Sequence, residues 1–170
     1  MNPIDAPNIK ISPDLETALK TISIWKTNKE KIVFTNGCFD IFHAGHAYTL
    51  SEAAKYGTKL IVGLNDDLSL KSLKGDTRPF HTLPSRAYVL AALSAVDLVI
   101  PFSEINPEKL IHAIIPDVLV KGNDYELDHI AGARFVIENK GEVVLIPLIP
   151  ELSTSKIASH VFEKLKNNAN

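Results

Sequence analysis

The sequence predicts an α/β fold, a doubly wound, Rossmann-like sheet of five parallel strands with helices on both faces. The first observation behind this is a set of short apolar runs, KIVFTN, KLIVGLN, DLVIPF, DVLVK and EVVLIPL. They are apolar on both faces, as strands buried in a parallel sheet are. The second is that helical patterns separate these runs, so strand and helix take turns along the chain. The third is that no repeat, linker or low-complexity tract divides the 170 residues, a length that suits one domain.

Each element has its own signal. Leu15, Leu19, Ile22 and Trp25 recur at near-helical spacing within residues 12–29, after the helix-start signal Ser12-Pro13-Asp14. The first strand, residues 31–36, is ended by Gly37. Residues 44–55 read as a helix that stops near Gly57, and residues 59–65 as the second strand. Residues 66–83 are polar and basic and contain Gly75 and Pro79, which reads as a long loop. A helix over 84–95 precedes the third strand at Asp97. Pro107 opens a helix that runs to Ile115, and the fourth strand starts at Asp117. Residues 129–139 read as a helix, the fifth strand starts at Glu142, and residues 155–166 close the chain as an amphipathic helix with a frayed tail. Residues 1–30 are thus a helical N-terminal extension, 31–162 the core and 163–170 a tail.

Composition excludes several classes of function. Eighteen basic and twenty acidic residues give a net charge of −2, which offers no electrostatic case for nucleic-acid binding. Cys38 is the single cysteine, so no intramolecular disulfide framework exists and a reducing compartment fits. The N-terminus MNPIDAPNIK lacks the apolar core of a signal peptide, and the longest apolar stretch, residues 143–149, contains Pro147 and is far short of a membrane span. The expectation is a cytoplasmic protein.

The stretch TNGCFDIFHAGH, residues 35–46, joins the first strand to the next helix and faces the ligand crevice of such a fold. His43 and His46 lie at that helix's amino end, where unpaired N–H groups and the dipole favour an anion. Gly45 would let a phosphate approach the backbone. Two imidazoles three apart share a helix face and can donate to phosphoryl oxygens. Core histidines and a metal pair are the alternatives, although no third ligand completes a metal shell in sequence. Asp40 either joins the site or caps the turn. G-x-G-x-x-G and G-x-x-x-x-G-K-[ST] are both absent, which removes the usual dinucleotide and P-loop cradles.

The H-x-G-H motif after a first strand resembles that of the cytidylyltransferase-like nucleotidyltransferases. TNGCFDIFHAGH, LKGDTRP, SRAYVLAALSAVD, PDVLVKGNDY, IAGARFV, KGEVVLI and STSKI follow one another as in the heptose 1-phosphate adenylyltransferases, over about residues 31–162. The resemblance implies transfer of AMP from ATP to a heptose 1-phosphate, giving ADP-heptose and pyrophosphate for lipopolysaccharide. Mg²⁺ would come with ATP as substrate. A separate sugar kinase would act in the same pathway, since the chain is too short to include one, and a homo-oligomeric state is left open. A cytidylyltransferase acting on a polyol or amino-alcohol phosphate is the alternative, and a silent nucleotide-binding module the third reading.

The same resemblance implies roles for single residues. His43 and His46 would hold the α- and β-phosphoryl oxygens. Lys74 would reach in as a mobile cation from a loop that closes over ATP, with Lys71 the weaker candidate, and Arg86 would contact phosphate. Thr35, Asn36, Gly37, Phe39, Asp40 and Gly45 would meet the nucleotide at the first strand's exit. Gly122, Asn123, Asp124 and Tyr125 would do so at the fourth, and Ser153, Thr154 and Ser155 at the last helix start. The chain departs from the pattern twice. Asn123 replaces a glycine of K-G-G-D-Y, and Glu151-Leu152 replaces glycine-cysteine before S-T-S. Cys38 reads as a small buried side chain, because this reaction needs no covalent intermediate.

Overall fold

Five strands form in the computed structural model, which describes residues 10–123, 129–150 and 152–168. They are β1 (Ile32–Gly37), β2 (Lys59–Asn65), β3 (Leu98–Phe102), β4 (Val118–Gly122) and β5 (Glu142–Ile146). All pair in parallel, in the order β3-β2-β1-β4-β5. This is the doubly wound arrangement the apolar runs predict. The winding reverses between β1 and β4, and there a crevice opens at the carboxyl ends of the strands.

The helices are α1 (Leu15–Thr27), α2 (Ala44–Ala54), α3 (Asp67–Lys74), α4 (Leu83–Ala91), α5 (Glu108–Ile114), α6 (Ala133–Glu138) and α7 (Thr154–Asn168). Alternate residues of β1 serve opposite faces of the sheet. Ile32 and Phe34 pack with Ala18 and Ile22 of α1, Ile111 and Ile114 of α5, and Val136 of α6. Val33 packs on the other side with Leu50 of α2 and Ala87 and Leu90 of α4. Phe34 is fully buried, so truncating it to alanine would cost about 3–5 kcal/mol. The aspartates that precede β3 and β4 also hold their neighbours in register. Asp97 Oδ2 accepts the Leu60 N–H at 2.8 Å, and Asp117 Oδ2 accepts the Ile32 N–H at 2.7 Å.

The long-loop reading of residues 66–83 is corrected by the structure. Its first half is α3, capped by the Asp66 carboxylate on the Ser69 N–H at 2.7 Å and anchored by the buried Leu70. Gly75 ends it with φ of 98°, a left-handed conformation that suits glycine. The reading of a frayed tail from Lys166 changes as well, since α7 continues to Asn168. At the other end the chain joins the sheet before α1. Ile11 bridges to Val99 of β3, and the Ser12 N–H donates to the Val99 carbonyl at 2.9 Å.

Candidate active site

A cleft of about 630 Å³ lies above the carboxyl ends of β1 and β4, where the winding reverses. Asn36 and Gly37 at the end of β1 form part of its floor, and Lys121 enters from β4. The Lys121 ammonium donates to Asn36 Oδ1, which joins the two strand ends.

The turn after β1 has an unusual backbone. Phe39 has φ of 46°, a left-handed conformation costly for a bulky residue and a mark of functional turns. Its ring folds back so that a Cβ at position 37 would lie 3.0 Å from Phe39 Cε2, which accounts for Gly37. The same ring meets the His46 ring edge-on at 5.1 Å, while Phe42 contacts it at 5.6 Å.

The two histidines are brought together, stacked at 3.8 Å with an interplanar angle of 20°. His43 is the N-cap of α2, and its Nδ1 accepts the Gly45 N–H at 3.1 Å. Since Nδ1 is the acceptor, the neutral ring carries its proton on Nε2. Among the described residues His46 Nδ1 is buried with no hydrogen-bond partner, which leaves Nε2 as the nitrogen a ligand can reach. Burial pulls the pKa of His43 below the ordinary imidazole value. Burial, followed by repulsion from His43, pulls that of His46 down to about 4. Both rings are therefore neutral N–H donors at neutral pH.

Asp40 lines the cleft, but its carboxylate is already engaged. It accepts from Arg78 Nη1 at 2.7 Å, from the Phe80 N–H at 2.8 Å and from the His81 N–H at 2.9 Å. His81 Nδ1 donates in return to the Asp40 carbonyl at 2.8 Å. Burial works against the charge on Asp40, yet the two backbone N–H groups and the guanidinium outweigh it and hold the pKa below the usual carboxylate range. Asp40 thus fastens residues 78–81 onto the histidine turn rather than offering oxygens to a ligand.

Arg86 is not brought to the cleft. Its side chain is 0% exposed and donates to the Cys38 carbonyl at 2.6 Å, the His81 carbonyl at 3.0 Å and Asp67 Oδ1 at 2.7 Å. The expected phosphate contact gives way to a clamp on the histidine turn, the 78–81 segment and the start of α3. Lys74, at the other end of α3, does line the cleft, whereas Lys71 pairs with Asp76 at 3.2 Å.

Ser153, Thr154 and Ser155 line the opposite wall at the start of α7, and Ser153 Oγ accepts the Lys156 N–H at 3.3 Å. Thr35 is 3% exposed within β1 and does not line the cleft. Gly122 and Asn123 do not line it either, and Asp124 and Tyr125 lie outside the described residues. Sequence reasoning overlooked Lys121 as a cleft cation, along with two apolar walls. One is Leu70, Leu73 and Ile105, and the other Leu148, Ile149 and Leu152. Helical spacing of the leucines in LSLKSL would have found part of the first wall. Cys38 lies half-buried in the cleft, and burial pushes its thiol pKa up, the opposite of an activated nucleophile. Among the described residues Asp40 is the only acidic side chain lining the cleft, and no three His, Cys, Asp or Glu side chains gather into a metal site. With neutral histidine donors and lysines on two sides, the cleft suits a polyanion.

Known proteins resemble this chain in both sequence and fold. The family model described as Cytidylyltransferase-like matches residues 34–161. The bifunctional protein HldE of Hydrogenovibrio crunogenus is 48% identical over 142 residues, which is 84% of this chain and 30% of that protein. HldE of Pseudomonas aeruginosa is 47% identical over 150 residues, 88% of this chain and 32% of that one. The chain thus spans about a third of the length of these curated relatives. Among solved structures, a lipopolysaccharide core biosynthesis protein from Thermoplasma volcanium superposes with a TM-score of 0.58 at 27% identity, covering 71% of this chain and 97% of that one. A pantoate-β-alanine ligase from Francisella tularensis, solved with β-γ ATP and β-alanine, superposes with a TM-score of 0.56 over 94% of this chain and 80% of that one. At 18% identity it shows the fold alone. Among the described residues no helix is long and apolar enough to cross a membrane.

Proposed function

The chain belongs to the cytidylyltransferase-like family, and from that premise we propose that it transfers AMP from ATP to a heptose 1-phosphate, releasing pyrophosphate and ADP-heptose. The observation that carries this reading is the stacked His43–His46 pair at the start of α2, both rings neutral, in a cleft that also holds Lys74 and Lys121. The ordered motifs shared with heptose 1-phosphate adenylyltransferases, the HldE relatives and the lipopolysaccharide protein of T. volcanium support the sugar as acceptor.

The chemistry needs no general base. A phosphate monoester has a second pKa of about 6, so an ionised oxygen of the sugar 1-phosphate is ready to attack the α-phosphorus of ATP. A new P–O bond forms there as the bond to the β-phosphate's bridging oxygen breaks in line, and the electron pair leaves with pyrophosphate. The protein's contribution is position and compensation of negative charge. His43 Nε2–H and His46 Nε2–H donate to α- and β-phosphoryl oxygens. Thr154 and Ser155 hold the triphosphate with their hydroxyls and their backbone N–H groups at the start of α7. Lys74 meets the charge that builds on the leaving group. Asn36, Gly37 and Phe39 shape the floor on which the nucleotide lies.

The described lining residues do not suit a resident metal. The carboxylate of Asp40 is taken by Arg78, Phe80 and His81. Mg²⁺ then enters as the nucleotide's own counter-ion, held by phosphates and water. A sugar kinase supplies the phosphate ester, and a reducing, ATP-containing cytoplasm is the setting.

The test is to incubate the protein with each nucleoside triphosphate and a panel of sugar and polyol phosphates, following pyrophosphate release. ATP with a heptose 1-phosphate should be the productive pair. Release confined to CTP with a polyol or amino-alcohol phosphate would replace this reading with the cytidylyltransferase one.

A further inference from the structure

Asn123 stands where the resembling motif has glycine, and glycine's conformational freedom is not needed there. Among the described residues the non-glycine positions with positive φ are Lys29, Phe39, Ile115 and Lys140, and Asn123 is not one of them. What the asparagine adds is a side-chain acceptor. Its Oδ1 accepts the Leu148 N–H at 3.2 Å, while its own N–H donates to the Ile146 carbonyl at 3.0 Å. The end of β4 is thereby tied to the connection between β5 and α7.

That connection reads PLIPELS, and proline at 147 and 150 restricts φ at two of its positions. Leu148, Ile149 and Leu152 line the cleft from it. Its far end packs over the histidine turn, since Leu152 Cβ lies 3.5 Å from where a Cβ at Gly45 would stand. Directly afterwards come Ser153, Thr154 and Ser155 at the start of α7, and the Ser153 carbonyl accepts the Ile157 N–H at 3.0 Å. Of this chain's two departures, Asn123 therefore acts at one end of this connecting strap and Leu152, of the Glu151-Leu152 pair, at the other, while Glu151 lies outside the described residues.

We propose that Asn123 is a positioning residue. By tethering Leu148 it presets the strap, and with it the start of α7, in the geometry that receives the triphosphate. A segment held in its bound conformation loses less entropy when the ligand arrives, so the tether acts on affinity rather than on the chemical step. A glycine at this position leaves the Leu148 N–H to water and the strap to order itself on binding. This inference rests on the reading of the cleft as a nucleoside triphosphate site.

The experiment compares the unsubstituted chain with Asn123→Gly and Asn123→Asp, the latter keeping an acceptor oxygen. Hydrogen exchange reports the Leu148 amide, calorimetry the binding of an ATP analogue with a non-cleavable α–β bridge, and steady-state kinetics the split between KM and kcat. Asn123→Gly should lose Leu148 protection, weaken analogue binding about fivefold, the scale of one neutral hydrogen bond, and raise the ATP KM with kcat unchanged. Asn123→Asp should restore the protection. Unchanged affinity in Asn123→Gly, with or without loss of protection, overturns the proposal. An unsubstituted chain that binds no nucleoside triphosphate overturns the functional reading itself and the inference with it, and that outcome is read from the wild-type calorimetry alone.

Discussion

His43 caps its own helix through Gly45. The imidazole Nδ1 accepts the Gly45 N–H at 3.1 Å, and the ring occupies the space where a side chain at 45 would begin. A glycine that sequence alone assigns to phosphate approach thus has a second reason to be there, which is to seat the His43 ring and set its tautomer.

Gly45→Ala tests this relationship. The new Cβ would lie 2.9 Å from His43 Cε1 and 3.0 Å from Nδ1, and the ring cannot swing aside without breaking the cap and its stack on His46. Displacing a reacting group by about 1 Å costs on the order of a hundredfold in rate, so turnover should fall by that scale while circular dichroism stays native. His43→Ala and His43→Asn should both lose turnover about a hundredfold or more, the scale of one missing charge-stabilising donor. They should differ in stability, because asparagine still caps α2, whereas alanine gives up about 1 kcal/mol in a chemical denaturation curve.

The half-buried His46 also sets an acid limit. In the folded chain the His46 pKa is down at about 4, against the ordinary 6.5. As pH falls through 6.5 the unfolded chain takes up protons that the folded one refuses, so stability is full above that value and is lost towards pH 4. A group shifted this far contributes of order 3 kcal/mol across the window. His46→Phe, set between Phe39 and Phe42, should flatten the fall in melting temperature between pH 6.5 and 4. An equally steep fall in the variant would assign the acid sensitivity to other groups.

Arg86 separates a positioning role from a direct one. If it acts by holding Asp67 and the histidine turn, Asp67→Asn should slow turnover in the same direction, and the double variant should lose less than the product of the two single effects. An arginine that touched phosphate instead would leave Asp67→Asn near normal. Arg86→Gln should also cost about 3 kcal/mol of stability by thermal or urea unfolding, since the buried guanidinium's charged hydrogen bonds to the Cys38 and His81 carbonyls and its pair with Asp67 are lost.

These cases show what could and could not be read from the residues alone. The strand at 59–65 and the place of H-x-G-H were legible, because parallel strands are continuously apolar and the turn after the first of them faces the crevice. Helix α3 was missed because it buries one leucine fully and leaves Leu68 and Leu73 exposed, a faint stripe beside conspicuous Gly75 and Pro79. Asp66 followed three residues later by Ser69, then Lys71, Lys74 and Gly75, was the available helix signal. The burial of Arg86 was not legible at all. Its acceptors come from three separate segments, and an arginine early in a helix is ordinarily solvated.

Lys74 is the last residue of α3, so it is carried by a short rigid element anchored by Leu70 and by the Arg86–Asp67 pair. Residues 78–81 beyond it are fastened to Asp40. Between the two anchors lies Gly75, where an added Cβ would meet nothing within 4 Å. Closure over the ligand would therefore be a small swing of the end of α3 rather than the folding of a long loop. The ammonium should matter most when charge develops on departing pyrophosphate, and so Lys74→Ala should lower kcat at least tenfold while weakening ATP binding only a few-fold. Lys74→Arg keeps the charge on a larger head and should recover part of the rate. Hydrogen exchange supplies the check on motion, with amides 71–77 gaining protection when ATP analogue and sugar phosphate are both bound and the amides of Arg78, Phe80 and His81 already protected without them. A Lys74→Ala enzyme with normal kcat and a raised ATP KM would make this lysine a ground-state contact only, and the swing of α3 would lose its catalytic purpose.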